Sequence, residues 1–164
     1  MRNSLIISTF VLLLFTCNSQ VNNTSVRFSP ETKGIEKFDT VIANIQIIIK
    51  KIDLDTYVLN EYEDKGKKQI DKYRDAEISL IIKQNSQTLL DTVFRKNQFS
   101  KYADKGFMEI AIFHNYWFNK IDKERIELFG VINKPETDYT LPFYHYFDLK
   151  TKKLSFEEYI DNEE

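Results

Sequence analysis

The feature that most constrains this chain is a hydrophobic period of two that returns along its length. In "EISLIIKQ", Ile78, Leu80 and Ile82 alternate with Glu77, Ser79 and Lys83. "RIELFGVIN" sets Ile126, Leu128 and Ile132 against Arg125, Glu127 and Asn133 in the same way. Successive side chains of a strand point to opposite faces, so this alternation belongs to half-buried strands and not to helices. Between such runs, "QNSQ" is a polar break of hairpin type, after which "TLLDTVFRK" resumes as a strand. "FMEIAIFHNYWFN" reads as a long aromatic strand, "KIDKE" as a turn, and "NKPETDYTLP" as a loop bounded by Pro135 and Pro142. "FYHYFDLKTKKLSFEEY" reads as a closing hairpin that turns at Lys150, Thr151 and Lys152. In "KFDTVIANIQIIIKKID" a helical stripe through Phe38, Val41, Ile42, Ile45, Ile48, Ile49 and Ile52 competes with a strand. The density of β-branched residues favours the strand. One short helix is expected in "NQFSKYADKG", where Asn97 can cap it and Gly106 suits its far end. The expected fold is mostly β: an antiparallel sheet folded on itself as a sandwich or an open barrel, with that one helix.

The amino terminus is of a different kind. Arg2 is the only charged residue before Arg27, and an apolar run from Leu5 to Phe15 follows it. Eleven residues of helix reach about 16 Å, against about 30 Å of bilayer core, so the run does not serve as a spanning anchor. A basic start followed by a short apolar stretch is the form of a secretory signal. The stretch ends on Cys17, the only cysteine in the chain. Leu14-Phe15-Thr16-Cys17 resembles the bacterial lipobox, in which a thiol accepts diacylglycerol and a small preceding residue admits the signal peptidase. Leu14 fits that pattern, and Phe15 is bulkier than usual. Residues 1–16 are therefore expected to be a lipoprotein signal peptide, with lipid attachment at Cys17. "NSQVNNTSVRFSPETKG" then makes residues 17–34 a flexible tether, rich in Asn, Ser and Thr. Residues 35–160 form the β-rich domain, and 161–164 an acidic tail.

Charge and cysteine content exclude several classes. Loss of residues 1–16 lowers Lys plus Arg from 23 only to 22, against 25 Asp plus Glu. A near-neutral balance offers no field for nucleic acid, so no nucleic-acid partner is expected. With Cys17 acylated, disulfides and cysteine metal sites drop out. Four glycines, none in a phosphate-binding pattern, leave no nucleotide loop, and no Gly-x-Ser-x-Gly elbow occurs.

"DKYRDAEISLIIKQ", "LLDTVFRKNQFSKY" and "NKPETDYTLPFYHYFDL" resemble blocks of a family of uncharacterised Bacteroidota lipoproteins, domain of unknown function 4738. The resemblance covers about Asp71 to Asp161. It implies the lipoprotein address and a β-rich fold, and it supplies no activity, cofactor or catalytic residue. It also implies a setting in which Asp-Ser/Thr-aliphatic triplets are O-glycosylated. "DTV" occurs twice, which makes Thr40 and Thr92 candidate acceptors. Surface-bound lipoproteins of this group carry an acidic run just after the acylated cysteine, and here no acid precedes Glu31. The expected address is the outer membrane, lipid-anchored on its periplasmic side.

Chemistry-bearing residues are few. His114 and His145 are the only histidines, each inside an aromatic strand. On neighbouring strands they could meet, and with Asp138 or Glu109 they could hold zinc. The plainer reading makes both half-buried imidazoles bonded to local groups. Asp53, Asp55, Asp64, Asp71 and Asp75 lack the spacing of a calcium loop and read as a solvated turn region among lysines. Aromatic residues make up 14% of the chain. Tyr116, Trp117, Tyr144, His145 and Tyr146 form a candidate binding surface, because Tyr and Trp join a flat apolar face to a polar edge. Packing uses the same residues. The leading expectation is an envelope lipoprotein acting as a non-catalytic binding or accessory module for a protein or glycan, with no cofactor. A small periplasmic hydrolase or metal-dependent enzyme using His114 and His145, and an immunity-type lipoprotein, stay open as alternatives.

Overall fold

A computed structural model describes residues 24–159; Cys17 and the signal segment lie outside the described residues. Nine strands follow one another: β1 (Ser25–Ser29), β2 (Ile35–Ile42), β3 (Ile45–Asp64), β4 (Lys67–Gln84), β5 (Gln87–Arg95), β6 (Ile112–Asp122), β7 (Arg125–Asn133), β8 (Thr140–Asp148) and β9 (Lys153–Glu158). A 3-10 turn, Lys96–Phe99, and one helix, α1 (Lys105–Ile110), connect β5 to β6. The first sheet has the order β1-β4-β3-β2, with β5 also paired to β4; the second runs β6-β7-β8-β9. Every pairing is antiparallel except that of β1 with β4. The fold is a mostly β sandwich.

The alternating residues build the shared core. Ile47, Ile49, Ile78, Leu80 and Ile82 of the first sheet pack in one cluster with Phe113, Ile126, Leu128, Ile132, Phe143 and Phe147 of the second. Full burial of each such side chain contributes about 1.5–3 kcal/mol. Gly130 lies between Tyr116 and Phe143 in register. A Cβ there would meet the Phe143 ring at 2.2 Å, so the ring lies directly on the glycine backbone.

β3 and β4 run on past β2 and β5 as a hairpin arm, Tyr57–Asp64 against Lys67–Arg74, with β1 along one side. An irregularity between Asp53 and Tyr57 reverses the buried phase. Asp71, Tyr73 and Asp75 are buried on the arm side of it, and Ala76, Ile78 and Leu80 beyond it. Asp75 sits at this junction. Its Oδ1 accepts hydrogen bonds from the Ala76 and Phe113 amides, both at 2.9 Å. Its Oδ2 lies 3.2 Å from Lys96 Nζ, which also donates to the Ala111 carbonyl at 2.6 Å. One buried carboxylate thus ties β4 to β6 and to the 3-10 turn.

Four expectations are corrected in detail. Residues 38–53 are strand as expected, but they form two strands, joined at Ala43 and Asn44 without a glycine or proline. Ala43 adopts a φ of 55°. The adjacent turn locks the joint, since the Asn85 amide donates to the Asn44 carbonyl at 3.1 Å. The helix forms later than expected: the Asn97 region makes only a 3-10 turn, and α1 starts at Lys105, taking Gly106 and Phe107 into itself. The physical cause is the cap. The Asp104 side chain accepts from the Phe107 amide at 2.8 Å and is itself held by the Tyr139 hydroxyl at 3.0 Å. The stretch read as tether contains β1, because Arg27 donates two hydrogen bonds, 3.0 and 2.7 Å, to buried Asp71. Nor do Asp53, Asp71 and Asp75 sit in a solvated turn region; all three are buried in strands, held by the Gly34 amide, by Arg27, and by the Ala76 and Phe113 amides respectively.

Asp75→Ala should lower unfolding free energy by about 3–5 kcal/mol, because it leaves Lys96 and the Phe113 amide without their partner. Glu77→Ala, which removes the exposed Arg95 pair, should cost under about 1 kcal/mol. Urea denaturation of the two variants checks this; equal losses would remove Asp75 as the junction.

Candidate functional site

The outer face of the second sheet is aromatic. Alternation sends Ile126, Leu128 and Ile132 of β7 and Phe143, His145 and Phe147 of β8 into the core. It leaves Arg125, Phe129, Tyr144 and Tyr146 on the other side. Trp117 of β6 pairs with Phe129, and Phe129 with Tyr144, so the three form one row across three strands. Ring centroids are 4.8 Å apart for Trp117–Phe129 and 4.9 Å for Phe129–Tyr144. Tyr159, just past β9, donates its amide to the Pro142 carbonyl at 3.1 Å. Its ring lies 5.8 Å from both Phe129 and Tyr144. Tyr146 stacks on Tyr144 at 5.7 Å, with the Arg125 guanidinium 4.2 Å above its ring.

A polar group is set into this face. Glu127, cross-strand from Tyr146, is 7% exposed. It accepts a short hydrogen bond from Asn119 Nδ2 and lies 3.6 Å from Lys120 Nζ. A carboxylate only accepts, so the Asn119 amide is fixed with its nitrogen inward and its carbonyl free to accept elsewhere. Burial, then Glu127 and Glu157, raise the Tyr146 pKa, so its phenol is a neutral O–H. Trp117, Asn119, Phe129, Tyr144 and Tyr159 line a shallow depression of about 270 Å³.

Of the expected binding residues, Trp117, Tyr144 and Tyr146 therefore share this face, whereas Tyr116 and His145 do not. Tyr116 Oη lies 3.0 Å from His145 Nδ1 in the core, where the imidazole is ringed by Phe94, Phe99, Phe143 and Phe156. Burial pushes the His145 pKa down to about 4 and the Tyr116 pKa well above its ordinary value. Both are neutral, and their bond satisfies two polar groups that the core encloses. Arg125, Glu127 and Phe129 were legible in the alternation of β7, on the side opposite Leu128, whereas Asn119 sits at a bulge of β6 that hides its side. Tyr159 carried no signal.

His114 lies elsewhere, at a bulge of β6. There it borders a cleft of about 310 Å³ between the sheets, with Glu36, Lys51, Asp53, Tyr73 and Glu136. These groups engage one another: Lys51 pairs with Glu36 at 3.3 Å, Tyr73 donates to Glu136 at 3.3 Å, and Asp53 accepts the Gly34 amide at 3.0 Å. Burial and then Lys51 lower the His114 pKa, with Glu36 opposing. The strands of His114 and His145 are separated by β7, so the two imidazoles do not meet. Among the described residues no three His, Cys, Asp or Glu side chains gather around a metal position. Thr40 is half-buried on β2, opposite core Ile47, and Thr92 is half-buried on β5, opposite core Leu80.

His145 makes stability depend on pH. The unfolded imidazole titrates near 6.5 and the folded one near 4. The neutral ring's contribution is whole above about pH 6.5. As pH falls towards 4 the unfolded state takes the proton first, and stability drops by up to about 3 kcal/mol. Urea midpoints measured between about pH 7 and 4.5 should fall accordingly, and His145→Phe should flatten that stretch. A slope that survives the substitution would assign it to other groups.

A family model described as Domain of unknown function (DUF4738) matches residues 43–155, from the turn before β3 into β9. That span holds β3 to β8 and the start of β9, leaves out β1 and β2, and includes all of the aromatic face except Tyr159. Among proteins of curated function, none matches the chain. The chain belongs to the DUF4738 family of domains of unknown function.

Proposed function

We propose that this chain is a lipid-anchored envelope protein, held at the periplasmic side of the outer membrane through Cys17, whose domain is a non-catalytic module that binds a saccharide. The observation that carries the binding reading is the Trp117–Phe129–Tyr144 row, closed by Tyr159 and left uncovered on the outside of a sheet whose inner face already fills the core. None of its rings belongs to the core cluster. Sugar rings present flat C–H faces bordered by hydroxyls, which match aromatic faces bordered by fixed donors and acceptors. Here the border consists of the Asn119 carbonyl, the Tyr146 hydroxyl and the Arg125 guanidinium. The depression, about 270 Å³, is open and shallower than an enclosed ligand pocket, which suits a sugar ring lying flat on the rings. A stable protein interface would need a broad patch of about 800 Å² per partner. The anchor reading rests on the apolar run ending at Cys17.

Trp117 is the only tryptophan, so its fluorescence reports on this face alone. Titration with soluble β-1,4-linked glucose and N-acetylglucosamine oligomers should give a saturable emission change with at least one of them. Tyr144→Ala should weaken that binding by about tenfold or more, as loss of about 1.4 kcal/mol of stacking implies. Emission unmoved by the whole panel, with acrylamide quenching of Trp117 unchanged, would overturn the saccharide reading.

A further inference from the structure

The outward face of the hairpin arm carries a second surface. Residues that pair across a sheet share a side. Val26, Ile70 and Glu61 form one row, and Phe28, Lys72 and Leu59 the next. Tyr57 and Arg74 follow. Phe28 and Tyr57 meet edge to face at 5.5 Å. Lys72 Nζ stands 5.4 Å from the Phe28 centroid and 5.9 Å from that of Tyr57. The opposite side of the arm is already used, since Asp71, Tyr73 and Val58 are buried there and Tyr73 donates to Glu136. The outward side is open: Leu59 is 54% exposed, Val26 46% and Phe28 36%.

The position of this face decides what covers it. β1 runs parallel to β4 and begins beside Gln69, close to the arm tip at Lys65 and Gly66. The chain therefore enters the domain at the tip. Ser25 stands eight positions after Cys17, and eight steps of extended chain reach at most about 29 Å. An acylated Cys17 would hold the arm within that distance of the bilayer. The geometry points to the phospholipid surface as the occupant: Val26, Phe28 and Leu59 enter the headgroup boundary, with Tyr57 at headgroup level and the Lys72 ammonium reaching the phosphates along its apolar stem. This inference rests on the lipid anchor at Cys17 and is independent of the saccharide reading. The tip is balanced in charge, with Lys65, Lys67 and Lys68 beside Glu61, Glu63 and Asp64, and Lys68 bonded to Glu61 at 2.6 Å. Contact accordingly comes from the apolar side chains and is insensitive to salt.

The test uses the lipidated full chain in vesicles of zwitterionic phosphatidylethanolamine and phosphatidylcholine. Leu59→Cys carries an environment-sensitive fluorophore, and Glu157→Cys, exposed on the second sheet, is the control. Flotation with the vesicles, lost on Cys17→Ala, establishes the anchor by itself. With the anchor in place, iodide quenching of the label at position 59 should fall several-fold against the same label on the Cys17→Ala chain, and should stay low at high salt. The label at position 157 should be quenched equally in both. Equal quenching at position 59 in the floated and soluble proteins would overturn the arm contact while leaving the anchor standing. Failure of flotation would remove both.

Discussion

Asp75 is the constraint on which the remaining geometry depends. A buried carboxylate with two amide donors and one lysine fixes where β4 stops facing the arm and starts facing the second sheet. It also sets the height at which β6 begins, because the Phe113 amide is one of its donors. From there the register of β6 on β7 places Tyr116 over Gly130 and Trp117 beside Phe129. The inward and outward aromatic sets are thus sorted by one electrostatic junction and by a glycine that lets Phe143 lie on the backbone. Removing a partner from such a junction costs several kcal/mol because an uncompensated charge stays behind.

The two aromatic populations have different physical roles. Inside, Phe99, Phe113, Phe143 and Phe156 surround the Tyr116–His145 pair, and every polar atom of that pair's bond is enclosed. Outside, the row at Trp117, Phe129 and Tyr144 meets solvent and is bordered by Asn119, whose orientation is fixed by Glu127. Fixing Asn119 before a ligand arrives lowers the ordering cost of binding, which is what separates a built recognition surface from scattered exposed rings. If Cys17 carries the proposed anchor, the arm would orient the domain. β1 begins beside its tip, and the aromatic row sits on the other sheet, so under the proposed anchoring a glycan bound there would not compete with a bilayer contact of the arm.

Much of this was legible in the sequence because a period of two is a local property. The strands around Ile78–Ile82 and Ile126–Ile132, and the hairpin at Asn85 and Ser86, follow from alternation and turn residues alone. The same alternation in "FYHYF" separates Tyr144 and Tyr146 from His145. For β6 it does not, since bulges at Phe113–Asn115 and Phe118–Lys120 shift the phase between neighbours. Tyr116 and Trp117 could not be sorted without the fold. Long-range pairings were equally hidden. Arg27 reaches Asp71 across 44 positions and turns part of a polar tether into a strand. The helix was misplaced because two capping residues, Asn97 and Asp104, competed locally, and Tyr139 from a distant loop decided between them.

The central claim is that recognition occurs on the outer face of the second sheet and not in the cleft between the sheets. Amide and side-chain chemical-shift mapping during titration with the best-bound oligosaccharide tests it most directly. The account predicts perturbations at Trp117, Asn119, Phe129, Tyr144, Tyr146 and Tyr159, with Glu36, Lys51, Asp53 and His114 unmoved. Perturbations centred on that second group, with the aromatic row silent, would contradict it.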